Sequence, residues 1–359
     1  MCYNSYFKNT LAKGLQVGCY FRVMKKFGFA LCWLILLVAC NNKKNIPDVS
    51  NIQVPFTTLR FEKDFFAIDT NHVEASLNRL QQQYGSFLND FLYNILALPP
   101  VPDSVVTNVK LFIHDYYPRY QAAEQKFASF SNEEKAIKKG LQFVKYYFPQ
   151  YKVPQQAITF VGPLEGYGNV LTSSGFAIGL QLYMGKDFAD YHSEYLSNIY
   201  PSYQSRRFEA AYIPVNCMTN VINDIYPPKS GSQTLIEQMV EEGKRMYVLD
   251  LFMPETADTL KTGYTSNQLQ GCYDNEAGIW NFFIQNNLLY ITDPLQTRDY
   301  VNDGPKTEAL GPASPGNIGL FVGWQIVKKW MSGHEKTTPE QLLQTPAKQV
   351  FEEAKYKPR

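Results

Sequence analysis

"LIEQMVEEGKRMYVLDLFMPE", residues 235–255, reads as one helix with a carboxylate on its apolar stripe. Thr234 and Glu237 stand at the spacing of a capping box that would open it. Leu235, Met239, Met246 and Leu249 recur at helical spacings, and Glu242 falls on the same line. A carboxylate in an apolar interior is costly unless it is paired or holds a metal. Whether Glu242 marks a reaction centre or a packed core depends on what surrounds this helix.

Upstream lies a different texture. "ITFVG" (158–162) and "GNVLTSSGFAIGLQLYMG" (168–185) are rich in β-branched, glycine and turn residues, which predicts two or three short antiparallel strands. Before them, apolar spacing predicts a helix from Val73 to Ile95, capped by Asn71 with Glu74 and stopped by "LPPVPD". Another runs from Ser131, paired with Glu134, to Phe148, while Lys110 to Tyr117 fits neither period. Downstream, helices are expected at about 274–287, 316–331 and 339–352, the last entered through Thr338-Pro339. The fold class is therefore α+β, mostly helical with a small central antiparallel sheet. A single globular domain is expected over 56–359, helical over 56–150 and carrying the sheet and the Glu242 helix over 151–359.

The first 39 residues read as a signal region. From Met24, "MKKFGFALCWLILLVAC" gives two lysines, an apolar run and then small residues, the three-part pattern of a secretory signal. Met24 is a candidate true start. Leu37-Val38-Ala39-Cys40 resembles a bacterial lipobox, in which the cysteine is acylated and becomes the first mature residue; a plain signal peptide that happens to contain Cys40 is the alternative. Residues 40–55, broken by Pro47 and Pro55, read as a tether, with Lys43 and Lys44 suited to anionic headgroups.

Formal net charge is +1, which gives no footprint for nucleic acid. The 25 Tyr and 24 Phe imply a ring-rich core or a surface that stacks on sugars or peptides. Of six cysteines, Cys217 and Cys272 remain in the mature domain, as a bridge or as two buried thiols.

Motifs for chemistry are sparse. The four histidines, His72, His114, His192 and His334, include no pair four apart, and no HExxH occurs, so a histidine-based zinc peptidase site lacks its ligands. No GxSxG and no phosphate-binding loop is present. Paired carboxylates are the remaining catalytic option: Glu242, and Glu276 one turn before Trp280. Hydrogen-bonded carboxylates inside a helical core are the weightier reading of both. Gly319 and Gly323, one turn apart, leave a strip where another helix can approach, with Trp324 and Trp330 beside it; core packing is the default and a ligand pocket the sharper reading. Glu242, Glu276, Trp280 and Trp324 are thus the candidate cleft residues. No cofactor and no metal ligand is assigned.

Several stretches recur together in one order: the lipobox cysteine, "LRFEKDFF", "GLQLYMGKDFADY", "YPSYQSRRF", the Glu242 helix, "GYTSNQLQG", "NEAGIWNFF", "IGLFVGWQIVKKWM" and "AKYKP". Their combination resembles the gliding-motility lipoprotein family GldB across the mature chain. The resemblance implies a lipid-anchored envelope protein needed for gliding, with membrane contact through Cys40 and protein partners in the gliding machinery. A more distant likeness joins "MVEEGKRMY" to the "EGLAxY" helix of a group of predicted zinc peptidases, where the glutamate is the third metal ligand. It implies a zincin-like scaffold in which Glu242 is a relic, because Asn216, Asn220, Asn223 and Asp224 stand where the histidine motif belongs.

Three functions follow as expectations: a non-catalytic envelope component that binds a protein or peptide through a cleft beside Glu242, a carboxylate-dependent peptidase or cell-wall hydrolase, and a carbohydrate binder. Asn41 after the cysteine and the basic tether favour a domain facing the periplasm.

Overall fold

The computed structural model describes residues 46–229 and 231–359. The signal region, Cys40 and the tether as far as residue 45 lie outside the described residues. Among the described residues no helix is long and apolar enough to cross a membrane. Asp48–Arg359 forms one compact unit. Packing begins earlier than the tether reading allowed: Val49 and Val54 are buried, and Gln142 donates to the Ile52 carbonyl at 2.9 Å. Two apolar side chains that reach the core fix that stretch against the domain.

The chain opens with β1 (Thr57–Arg60) and α1 (Phe61–Phe66). The long helix expected to Ile95 is broken. α2 (Val73–Tyr84) ends at Gly85, whose φ of 56° only glycine adopts readily, and a second stretch finishes as a π-helical turn over Asp90–Ile95. Asn71 does not cap α2; His72 precedes it and pairs with Asp69. α3 (Pro102–Lys126) absorbs the ambiguous 110–117 segment and carries Pro118 internally. α4 (Ser131–Tyr147) begins at Ser131 itself, without the expected capping bond.

β2 (Gln156–Phe160), β3 (Asn169–Thr172) and β4 (Gly175–Gly179) complete a four-stranded sheet in the order β1-β2-β4-β3. The sheet is mixed, a correction to the antiparallel expectation. Only the β3–β4 hairpin is antiparallel; β2 runs parallel to both β1 and β4. The reason is connectivity: β1 and β2 are linked through α1–α4, a long helical crossover of the kind parallel strands require. Phe61, Phe65, Phe87 and Phe91, each fully buried, cluster beside the sheet, with Phe61 and Phe65 both 4.8 Å from the Phe91 ring centre. This cluster extends to Phe160 and places part of the aromatic content in the core.

After short turns come α5 (Tyr212–Ile225) and α6 (Leu235–Phe252). α6 opens with the predicted capping box, Thr234 and Glu237 bonding each other's backbone N–H. Then follow α7 (Ser266–Asp274), α8 (Glu276–Gln285), α9 (Pro294–Val301), α10 (Ile318–Gly333), α11 (Pro339–Gln344) and α12 (Ala347–Ala354). α11 and α12 divide the single helix expected over 339–352 at Pro346.

The crossing of α6 and α10 forms the second core. A methyl group on Gly323 would lie 1.6 Å from the Met239 carbonyl oxygen, and one on Gly243 only 2.2 Å from the Gly323 carbonyl. The small-residue strip of α10 therefore receives the α6 backbone directly.

Candidate functional site

The carboxylate problem posed by α6 resolves one residue earlier than the stripe suggested. Glu241 is the buried acid, 6 % exposed. It accepts from the Tyr226 hydroxyl at 2.7 Å, Lys229 at 3.0 Å and Lys244 at 3.2 Å. Burial works to raise its carboxyl, but the Lys244 charge and these hydrogen bonds outweigh it and leave it lowered. Lys244 is fully buried and also donates to the Thr345 carbonyl between α11 and α12. Burial lowers its ammonium, with Glu241 opposing. The sequence signal was Glu-x-x-Lys, which one-face periodicity passes over.

Glu242 keeps 44 % of its side chain exposed and has Arg245 3.8 Å away. Partial burial raises its carboxyl, Arg245 pulls it down and Glu241 pushes it up. It is neither enclosed in the core nor joined to Glu276. Glu276 accepts from the Tyr356 hydroxyl at 2.5 Å, and Trp280 packs edge-on against the same tyrosine at 5.1 Å. This pair pins the C-terminal segment. Trp324, 1 % exposed, donates its indole N–H to Asp250 at 2.8 Å beneath Lys328. Asp250 also pairs with buried Lys261. The candidate cleft residues are thus dispersed: Glu276, Trp280 and Trp324 hold packing contacts with other parts of the chain, while Glu242 stays half-exposed beside Arg245 on its own helix.

Two sizeable cavities lie elsewhere, along β3 and α5. One of about 470 Å³ is lined by Asn169, Asn216 and Asn220 with Tyr183, Tyr200 and Tyr212. A second, of about 910 Å³, continues past Leu171 and Ser173 to Asn220, Asn223 and Asp224. Asn220 belongs to both. Glu242, Glu276, Trp280 and Trp324 line neither.

α5 supplies this wall because "NCMTN" places Asn216 and Asn220 one turn apart, while Cys217 and Met218 point into the core. Asn220 Nδ2 donates to Asn169 Oδ1 at 2.8 Å and to the Asn169 carbonyl at 3.3 Å. Asn216 Nδ2 donates to the Tyr183 hydroxyl at 2.8 Å. Burial raises the Tyr183 phenol well above its ordinary value, so it stays protonated. Asn169 Nδ2 also reaches the Cys217 sulfur at 3.3 Å. Cys217 and Cys272 are both free and buried, their thiols pushed up to about 12 by burial, which makes them inert rather than nucleophilic. Among the described residues no three His, Cys, Asp or Glu side chains gather as metal ligands. Asn216 and Asn220 stood out in the sequence as substitutes for a histidine motif; Asn169 and Tyr183 gave no local signal.

The fold and this groove define a mostly helical α+β domain with an amide- and phenol-lined cleft along a sheet edge. A family model described as gliding motility protein GldB matches residues 42–358. The chain belongs to that family, and is a gliding motility protein. No curated protein and no solved structure matches it.

Proposed function

We propose that this chain is a lipid-anchored component of the gliding machinery, held at a membrane through Cys40, with its domain facing the periplasm, and that it works by binding rather than catalysis. The observation that carries the reading is the chemistry of the β3–α5 groove. Asn169, Asn216, Asn220 and Tyr183 offer neutral donors and acceptors, already tied to one another and so held in place. Such a lining suits a polypeptide better than it suits proton transfer.

We read α5 and α6 as a metallopeptidase-like helix pair that has exchanged ligands for amides. Asn216 and Asn220 have the spacing of the absent histidines, and Arg245, beside Glu242, donates to Asn223 at 3.1 Å. The groove would be what such a scaffold retains once its reaction is gone.

The test is made in cells that depend on this chain for gliding. Asn216→Leu with Asn220→Leu is expected to abolish spreading while membrane-bound protein stays at the parental level on an immunoblot. Normal spreading by that double variant would sink the reading. Cys40→Ser is expected to release the domain from membranes.

A further inference from the structure

The groove is bounded on one side by an unfinished sheet. β3 is an edge strand, and its pairing shows which backbone groups face outward. The Gly179 N–H donates to the Gly168 carbonyl at 2.8 Å, and the register runs on to Thr172 opposite Gly175 at the hairpin. In an antiparallel pair bonded positions alternate, so Gly168, Val170 and Thr172 engage β4. Asn169 and Leu171 turn their backbone groups away from the sheet. The Asn220 amide on the Asn169 carbonyl lies in that outward direction. Among the described residues nothing bonds the outward N–H and carbonyl of Leu171.

Edge strands meant to stay unpaired are guarded by lysine, proline, a bulge, short length or a covering element. "NVLT" is short and α5 covers its Asn169 end, but it carries no lysine, proline or bulge, and its Leu171 end is left open; all four residues are half-buried. Room is present beside each of them. The two groove cavities meet Asn169 and Leu171, and a third, of about 410 Å³, opens under Val170 and Thr172 with Phe87 and Phe160 in its lining. Charges along the two cavities beside α5 balance. Lys261 is paired with Asp250 and Asp258, Arg207 with Asp303, and one lysine and one aspartate, Lys152 and Asp224, line the larger cavity. In the third cavity Asp90 accepts from the neutral Asn94 amide.

We infer that an extended, uncharged segment of a partner polypeptide adds to the free edge of β3. Its backbone bonds Leu171 and displaces or extends the Asn220 contact at Asn169. Its alternate side chains enter the cavity beneath Val170 and Thr172, since strand side chains repeat every second residue. This rests on the reading of the groove as a binding site.

The probe is a random decapeptide phage library panned on the full chain in detergent micelles. Enriched peptides are synthesised and their affinity measured by fluorescence anisotropy. Methylating peptide backbone nitrogens is expected to weaken binding at least tenfold at every second position and to leave the intervening ones unchanged. Leu171→Pro removes the outward N–H and spares the bonds to β4, though it also removes a side chain packed on the core; it is expected to weaken binding at least tenfold relative to Leu171→Ala, with a thermal midpoint close to that of Leu171→Ala. Should Leu171→Pro not fold, Asn220→Lys and the methylation series carry the test. Absence of enrichment, indifference to methylation, undiminished binding to the variants, or retention of cell-wall saccharides in place of peptides would each overturn the inference. Peptides that ignore Leu171→Pro while Asn216→Leu/Asn220→Leu abolishes gliding would refute strand addition alone. Normal gliding by the double variant refutes the binding site itself.

Discussion

Where α6 crosses α10, glycines bring two backbones into direct contact; where α5 faces β3, asparagines hold them apart and leave space. Both are seams between elements from distant parts of the chain. At the first, Gly243 and Gly323 set backbone against backbone at the point of crossing, and dispersion between the close-packed chains fixes the geometry. At the second, Asn169 and Asn220 meet tip to tip, and cavities open on both sides of the bond. A seam that bears the fold is dry and intolerant of volume. One that recognises another molecule is polar and hollow.

Substitutions sharpen that contrast, beginning with the largest effect. Gly323→Ala places a methyl 1.6 Å from the Met239 carbonyl oxygen, and is expected to cost about 3 kcal/mol or more by overpacking. Chemical denaturation measures it; a loss under about 1 kcal/mol would show that the helices can separate freely. Lys244→Ala removes the ammonium between Glu241 and the Thr345 carbonyl, with an expected cost of about 3 kcal/mol, the low end for a broken buried pair because Lys229 and Tyr226 still serve Glu241. The same pair carries a pH signature. The folded-state value of Glu241 is lowered, so its contribution is present above the ordinary carboxylate range and disappears as pH falls through the lowered value. Lys244→Ala should flatten that acid limb of the stability profile.

Effects at the groove are smaller. Asn220→Ala is expected to cost about 1 kcal/mol, for one short side-chain hydrogen bond and a longer one at a half-exposed site. A loss equal to that of Gly323→Ala would erase the distinction between the seams. Glu242→Gln is expected to change stability by under about 0.5 kcal/mol at neutral pH, in the stabilising direction. The sign follows from its raised carboxyl: the protonated form suits the fold, so the charged form present at pH 7 is mildly unfavourable. Strong destabilisation would restore Glu242 to the interior.

The sequence made the seams unequally legible. The glycine strip of α10 and the Thr234–Glu237 box depend on spacing within one helix, and both could be read directly. Glu241 could not. A single apolar stripe presumes one buried face, whereas α6 passes through the interior and also buries Val240, Gly243, Lys244 and Val248. On such a helix the 3.6 period loses its meaning, and the residue at the centre of the stripe can still be half-exposed. The sheet was misjudged for a different reason: Thr57 pairs with Gln156 across the whole helical N-terminal region, and nothing in "TTLR" announces a partner so remote. Of the groove, only the asparagines on α5 were visible, since Asn169 meets them by tertiary placement alone.

Lys244 has one further consequence, for a chain made from its N-terminus. Its acceptor at Thr345 lies 101 residues further along. Until that segment arrives, α6 and α10 can meet only with one acceptor of the Lys244 ammonium missing. A chain cut short before Thr345 keeps that defect and also lacks the apolar side chains that α12 adds to the same core. The interior of α6 is thereby tied to a segment made long after it.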